Sequence, residues 1–317
     1  MSRPRQLDLF GAPLPVEPAH FARWRELAAR VPEAVRFGTS SWTFPGWTGL
    51  VYPAGTSEHQ LLEHGLELYA RCPLFRTVGI DRSYYRPLDR ATLRNYAAEL
   101  PGGFRAVVKV WGDITSAVDS KRRLPNARFL DAELFDREVL RPLASDFSDH
   151  LGPLVFELSP LRGSEVNSMH GLPERLDAFF AKLPRDFSYA VELRTPELFT
   201  RRYLDVLVRR GVAHVLNFWE RMPDIGTQLD VPGVLEAPFA VTRLLIPPGQ
   251  RYASRREVLE PFNRLSDPQQ KMRADVARLV GECEKLAKPV FVIANNKAEG
   301  SSPLTIAALA ERLTLSS

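Results

Sequence analysis

Eight short apolar segments recur along this chain, each followed by a stretch with helical features or a loop that leads to the next. In order they are 35–41, 75–81, 104–110, 154–158, 188–193, 213–218, 239–246 and 289–294. Segments such as VVKV and VFVIA are apolar nearly throughout, which suits strands covered on both faces. Ser57, with Gln60 three residues later, forms a capping box for a helix to about Arg71. Further helices are expected over about 89–100, 126–147 and 173–183. Thr195 can cap the next, with Pro196 at its first position. The signal after the sixth segment is weak. Asp267 and Pro268 open a helix to about Leu286, and Ser302 and Pro303 open the last. Eight such repeats over about 280 residues predict an α/β chain, a (β/α)8 barrel of the TIM type. A doubly wound open sheet is the alternative. No Gly-rich dinucleotide fingerprint follows the first strand, which counts against it.

Length and composition agree with one large barrel at 35–317. The chain has 317 residues, of which 44% are hydrophobic, so a large core can be buried. No apolar run is long enough for a membrane span. The first residues carry no apolar signal segment, so a cytoplasmic protein is expected. Residues 1–34 read as an extension with a flexible start, in which 20–30 could form a short helix with Phe21, Trp24 and Leu27 on one face. Basic residues number 42 against 38 acidic, an excess too small to announce nucleic-acid binding. Arginines outnumber lysines 35 to 7, which follows from codon bias or from a need for bidentate anion contacts. Cys72 and Cys283 lack CxxC neighbours and read as buried structural thiols.

A barrel of this kind places its site at the C-terminal ends of the strands. Those ends deliver Ser40, Ser41 and Trp42; Asp81, Ser83, Tyr84 and Tyr85; Lys109 and Trp111; Glu157; Glu192 and Arg194; Asn217 and Trp219; Arg243; and Asn295, Asn296 and Lys297. Lys109, Glu157, Glu192 and Arg243 are charges inside apolar strands, which is costly unless they are paired. They form either an internal ion-pair network or a site. Lys109 beside a carboxylate could act as a general acid or base. Asp81, Glu157 and Glu192 carry the oxygen ligands that Mg²⁺ or Mn²⁺ takes. No histidine ends a strand, and no GxSxG, HExxH or Walker loop is present. Trp42, Trp47, Trp111, Trp219, Phe44, Tyr52, Tyr84 and Tyr85 either lid the core or form a stacking surface for sugars or bases. The segment after the seventh strand, 247–266, carries Arg251, Arg255 and Arg256, and reads as a phosphate-binding or a merely solvated basic loop.

Six segments resemble the family called domain of unknown function 72, or YecE-like: FGTSSWTFPGWTGLVYP (37–53), FRTVGIDRSYYRP (75–87), FRAVVKVWGDIT (104–115), GPLVFELSP (152–160), YAVELRTPEL (189–198) and FVIANNKAEGSSPLT (291–305). The resemblance covers roughly 35–315, nearly the whole expected barrel. It implies a TIM-type barrel and assigns no reaction. It carries over to Ser40, Trp42, Lys109, Glu192, Arg194, Asn295 and Asn296. Departures are Gly79-Ile80-Asp81 where relatives commonly read Glu-Ile-Asn, Glu157 where many have Gln, and no His-Gly after Arg243-Leu244. The extra carboxylates therefore fall outside the family pattern, which counts against a metal, and no metal site is assigned.

Gln6-Leu7-Asp8-Leu9-Phe10 matches at all five positions the peptide by which bacterial replication and repair proteins bind the sliding clamp. Leu and Phe would enter an apolar groove while Gln orients the chain. The same side chains could instead pack back on the barrel.

The leading expectation is a ligand-binding or catalytic barrel that takes a phosphate-bearing ligand and is brought to DNA by its tail. Lys109, Glu192, Glu157 and Asp81 would carry the chemistry. Ser40, Trp42, Tyr84, Trp111, Arg194, Asn217, Arg243, Arg251, Asn295 and Asn296 would bind the ligand. Gln6, Leu7, Leu9 and Phe10 would bind the clamp. The alternatives are a sugar-acting enzyme without a DNA link and a non-catalytic adaptor.

Overall fold

The computed structural model describes residues 17–119, 124–250 and 252–315. The clamp-like peptide, Gln6 to Phe10, and Arg251 lie outside the described residues.

All eight expected segments are strands: β1 Val35–Thr39, β2 Thr77–Ile80, β3 Arg105–Lys109, β4 Leu151–Glu157, β5 Tyr189–Glu192, β6 Ala213–Phe218, β7 Ala240–Leu244 and β8 Val290–Ala294. They form one sheet in the order β1-β8-β7-β6-β5-β4-β3-β2, and every ladder is parallel. The two ends of that order, β1 and β2, meet at a seam. There the Arg76 amide donates to the Phe37 carbonyl at 2.9 Å. The seam is tight: a Cβ added at Gly38 would lie 2.0 Å from the Thr77 carbonyl oxygen. A Cβ at Gly79 would lie 3.2 Å from Cα of Ser40. Glycine on both strands lets the backbones approach. The chain is a (β/α)8 barrel, and the open-sheet alternative falls.

Side chains alternate between two cores. Val107, Val155, Ala190, Val215, Val241 and Ile293 share the core inside the barrel. Val78, Val108, Phe156, Val191, Leu216 and Val292 face the helices in the larger outer core.

The Ser57 capping box forms as expected. Ser57 Oγ accepts from the Gln60 amide at 3.2 Å, and Gln60 Oε1 accepts from the Ser57 amide at 2.8 Å. Three local expectations change. The helix expected over 126–147 is three consecutive pieces, Ala132–Phe135, a π-helical Asp136–Leu140 and Arg141–Asp146. Asp131 starts it by accepting from the Leu134 amide at 2.9 Å. Thr195 caps no helix. It precedes the single 3-10 turn Pro196–Leu198, and its Oγ1 accepts from the Leu161 amide at 3.0 Å. Thr200 instead caps Arg201–Arg210 through the Tyr203 amide. The basic segment 247–266 contains a helix, Tyr252–Leu259.

Residues 17–34 of the extension are folded onto the barrel. Helix α1, Phe21–Arg30, buries Phe21, Trp24 and Leu27 in the outer core. Arg30 donates to the Thr314 carbonyl at 2.6 Å, and Arg76 donates to the Ala28 carbonyl at 3.0 Å. At the other end of α1, His20 Nε2 donates to the Leu50 carbonyl at 2.9 Å. Leu50 belongs to the loop after β1, so the chain enters α1 from the C-terminal end of the barrel.

Both cysteines are buried and free. Burial pushes both thiols up, Cys283 to about 11. That is the chemistry of structural thiols.

Candidate functional site

Two residues beyond the inner apolar layer, every strand presents one polar side chain to the barrel mouth. By alternation these are Ser40, Asp81, Lys109, Glu157, Glu192, Asn217, Arg243 and Asn295. All eight are among the expected site residues, and Arg194 joins them from two positions past Glu192. Parallel strands deliver them because their C-terminal ends converge.

The charges close on one another. Lys109 Nζ lies 2.5 Å from Glu157 Oε2. Arg194 Nη2 donates to the same oxygen at 2.6 Å, and Arg194 Nε donates to Glu192 Oε1 at 2.9 Å. Arg243 Nη1 donates to Glu192 Oε2 at 2.5 Å and to Glu157 Oε2 at 3.1 Å. Its Nη2 donates to Asp81 Oδ2 at 2.6 Å. Three cations thus balance three carboxylates. Two aromatic faces back the cations: Lys109 Nζ is 4.0 Å from the Tyr84 ring centroid, and Arg194 Cζ is 4.0 Å from that of Trp219. Such contacts add about 0.5–2 kcal/mol each.

Burial and charge pull in opposite directions here. Burial alone would raise the Glu192 carboxyl, but Arg243, Arg194 and Lys109 outweigh it and hold the group at about 2. Burial likewise opposes the charge of Arg243, and Asp81, Glu192 and Glu157 more than restore it. Arg194 is held up by Glu157 and Glu192 against the same desolvation. Glu192 is therefore an anion at neutral pH. The ring is graded in depth. The Glu192 and Arg243 side chains are fully or almost fully buried, those of Lys109 and Arg194 are each 12% exposed, and that of Asp81 is 32% exposed.

The uncharged members divide. Ser40 Oγ and Asn217 Oδ1 are buried and have no hydrogen-bond partner among the described residues. Buried polar atoms without partners are few in native proteins. Asn217 Nδ2 donates to the Leu193 carbonyl at 2.6 Å. Asn295 Oδ1 accepts from the Lys297 amide at 3.0 Å and so caps the short turn that follows β8. Asn296 is a correction: it does not join the mouth. Its Oδ1 accepts from the Ser302 amide and hydroxyl, both at 2.8 Å, because it is one residue out of phase with the inward face. It fixes the start of the last helix, Ser302–Leu315.

At the rim, Tyr84 OH lies 3.0 Å from Ser159 Oγ, Trp42 meets Tyr96 edge-on at 5.2 Å, and the Trp111 ring has Arg128 Cζ at 5.9 Å. All three are half-buried. Arg255, expected on a basic loop, is buried. It donates to the Lys297 and Ala298 carbonyls at 3.0 and 2.7 Å and pairs with Asp267. It pins the helix Tyr252–Leu259 to the turn after β8 and is not offered to an anion. The carboxylates do not fit a metal ion either. Each is taken up by a guanidinium, and no group of three or more His, Cys, Asp or Glu among the described residues is placed to hold one.

A second buried network escaped the sequence. Gln228 Oε1 accepts from the Asn217 amide at 3.2 Å, and Gln228 Nε2 donates to the Asn217 carbonyl at 2.8 Å. His214 Nε2 lies 3.3 Å from Gln228 Oε1, and His214 Nδ1 lies 3.1 Å from Tyr203 OH. Gln228 lies in Ile225–Leu229, where the helical signal is weakest, and nothing in the sequence ties it to β6. Burial lowers the His214 pKa to about 4.

Fold and site together define a (β/α)8 barrel whose mouth is sealed by a charge-balanced ionic ring. A family model described as "Protein of unknown function DUF72" matches residues 36–317, and the chain belongs to that family. Among solved structures it is similar to a DUF72 family protein from Enterococcus faecalis V583, at 17% identity and TM-score 0.58, covering 89% of this chain and 95% of that one. It is also similar to a DUF72 family protein from Thermotoga maritima MSB8, at 19% identity and TM-score 0.54, covering 89% and 98%. At these identities the likeness shows the fold. No curated protein matches the chain.

Proposed function

We propose that the barrel mouth binds the phosphodiester group of a nucleic-acid-like ligand and that the N-terminal peptide carries the barrel to DNA. The observation that carries this reading is the pair of partly exposed cations in the ring. Lys109 and Arg194 are each 12% exposed, and both are backed by aromatic faces. The deepest carboxylate, Glu192, lies beneath them. Three cations already meet three carboxylates, so an anion can enter only in place of one carboxylate charge, which a monoanion matches and a dianion exceeds. Phosphodiesters are monoanions. Lys109 and Arg194 would contact the phosphate, with Arg243 behind them. Trp42, Tyr84, Trp111 and Trp219 would offer their edges and faces to the sugar or base.

The tail fits the same picture. The His20–Leu50 hydrogen bond brings the chain into α1 at the mouth end of the barrel. Nine residues separate Phe10 from His20, a reach of roughly 30–35 Å when extended. A sliding clamp bound to Gln6, Leu7, Leu9 and Phe10 would therefore hold DNA on the side of the site. That setting is cytoplasmic and agrees with a role in DNA repair.

A neutral, hydroxyl-rich ligand such as a sugar is the second reading. It is favoured by Ser40 Oγ and Asn217 Oδ1, two buried polar atoms without partners. Titration of the tryptophan fluorescence with a short single-stranded oligonucleotide, and separately with simple sugars, decides between them. Saturable, salt-sensitive binding of the oligonucleotide supports the first reading. Binding of sugars alone supports the second.

A further inference from the structure

Three donors converge on one carboxylate oxygen in the mouth. Glu157 Oε2 is 2.5 Å from Lys109 Nζ, 2.6 Å from Arg194 Nη2 and 3.1 Å from Arg243 Nη1. One oxygen ringed by an ammonium and two guanidiniums is the surroundings that a phosphate oxygen requires. Glu157 comes from a different strand than any of the three cations, and its side chain is almost fully buried. Glu192, by contrast, meets its two guanidiniums through separate oxygens, and among the described residues Asp81 pairs with Arg243 alone.

We propose that Glu157 is a built-in stand-in for a ligand oxygen, and that an anionic ligand binds by displacing its carboxylate from the three cations. The proposal rests on the phosphodiester reading of the same mouth and adds how that site is gated. The three cations then meet one phosphodiester charge in place of one carboxylate charge, and the displaced Glu157 carboxylate, still tethered to β4, must swing out to water at the mouth. Arg243 stays paired with Glu192 and Asp81 throughout, so the floor of the site holds its shape while Lys109 and Arg194 are handed over. Without the ligand, the same carboxylate keeps other anions out, since each must compete with a tethered partner already in place.

The test measures binding of dimethyl phosphate, a phosphodiester monoanion, by calorimetry to the full chain and to three variants. Glu157→Gln keeps the size of the side chain and removes the competing charge. It is expected to raise dimethyl phosphate affinity by about tenfold or more over the natural protein. Asp81→Asn removes an equal charge at the solvent edge without vacating the oxygen position, and its gain should stay within about threefold. Glu157→Asp retains the charge but draws it back by one methylene, and an intermediate gain is expected. A folded Glu157→Gln variant without a gain, or equal gains in Glu157→Gln and Asp81→Asn, overturns the proposal. Should Glu157→Gln not fold, an unchanged affinity in Glu157→Asp does the same. Oligonucleotide binding by the natural protein with no effect from Glu157 would leave the phosphodiester reading standing and remove the gate. A dimethyl phosphate gain in Glu157→Gln with no oligonucleotide binding by the natural protein would do the reverse.

Discussion

Glu157 and Glu192 are Cα partners on adjacent parallel strands, and two guanidiniums bridge their carboxylates. Arg194 spans them through Nη2 and Nε, and Arg243 touches both through Nη1. Neighbouring carboxylates in a buried place would ordinarily share a proton. Here the bridging cations hold Glu192 as an anion, with Arg243, Arg194 and Lys109 outweighing its burial. The mouth is therefore a preorganised electrostatic frame, with every strand contributing one polar group to it.

Removing one partner of this frame leaves uncompensated charge. Glu192→Gln is expected to destabilise the barrel by about 3–5 kcal/mol, since Arg194 and Arg243 each lose a carboxylate in a dry setting. Glu192 titrates at about 2 in the folded chain against an ordinary 4.5. Its contribution is thus complete above pH 4.5 and is lost as pH falls toward 2. Denaturant unfolding followed at several acidic pH values checks this. The variant should lose less stability across that window than the natural protein.

His214 behaves as a buried neutral imidazole. Its pKa of about 4, against an ordinary 6.5, means that the unfolded chain binds a proton first. Stability should fall as pH drops from 6.5 to 4, by a total on the order of 3 kcal/mol from this group. In His214→Phe that portion of the pH slope should vanish, whatever the absolute stability of the variant.

The β1–β2 seam has no room for a methyl group. Gly38→Ala would drive a Cβ into the Thr77 carbonyl, and is expected to cost about 2 kcal/mol or more, read as a lower midpoint of thermal unfolding. Gly102→Ala is the companion, because a Cβ there meets nothing within 4 Å. Its midpoint should stay close to that of the natural protein.

Arg255 acts as a strap. Arg255→Ala removes the donors to the Lys297 and Ala298 carbonyls and should free the helix Tyr252–Leu259. Limited proteolysis should then cut within 247–266 faster than in the natural protein, while the rest of the barrel survives.

Most of this architecture is legible in the sequence because the barrel repeats one physical solution eight times. Apolar strands such as 290–294 and polar residues at their ends, such as Asn295, follow from local pattern alone. Alternation also separates Asp81 and Lys109, which face the mouth, from Asn296, which is one residue out of phase. What local pattern does not contain is pairing across the barrel. Arg243 reaches Asp81 from 162 positions away, and Arg255 caps a turn 42 positions on. The sequence offers an internal ion-pair network or a ligand site for these charges, but does not say which carboxylate meets which cation. Gln228 was silent for the same reason: its partners lie on a neighbouring strand, and its own helix is one turn long.

Binding of a deoxydinucleotide monophosphate by the natural protein and by Lys109→Met, at low and at moderate salt, shows whether the mouth takes a phosphodiester. Saturable binding that weakens with salt is expected, with a loss of about tenfold or more in Lys109→Met, whose apolar stem keeps the shape of the mouth. No binding by the natural protein, or equal binding by both, would contradict the phosphodiester reading.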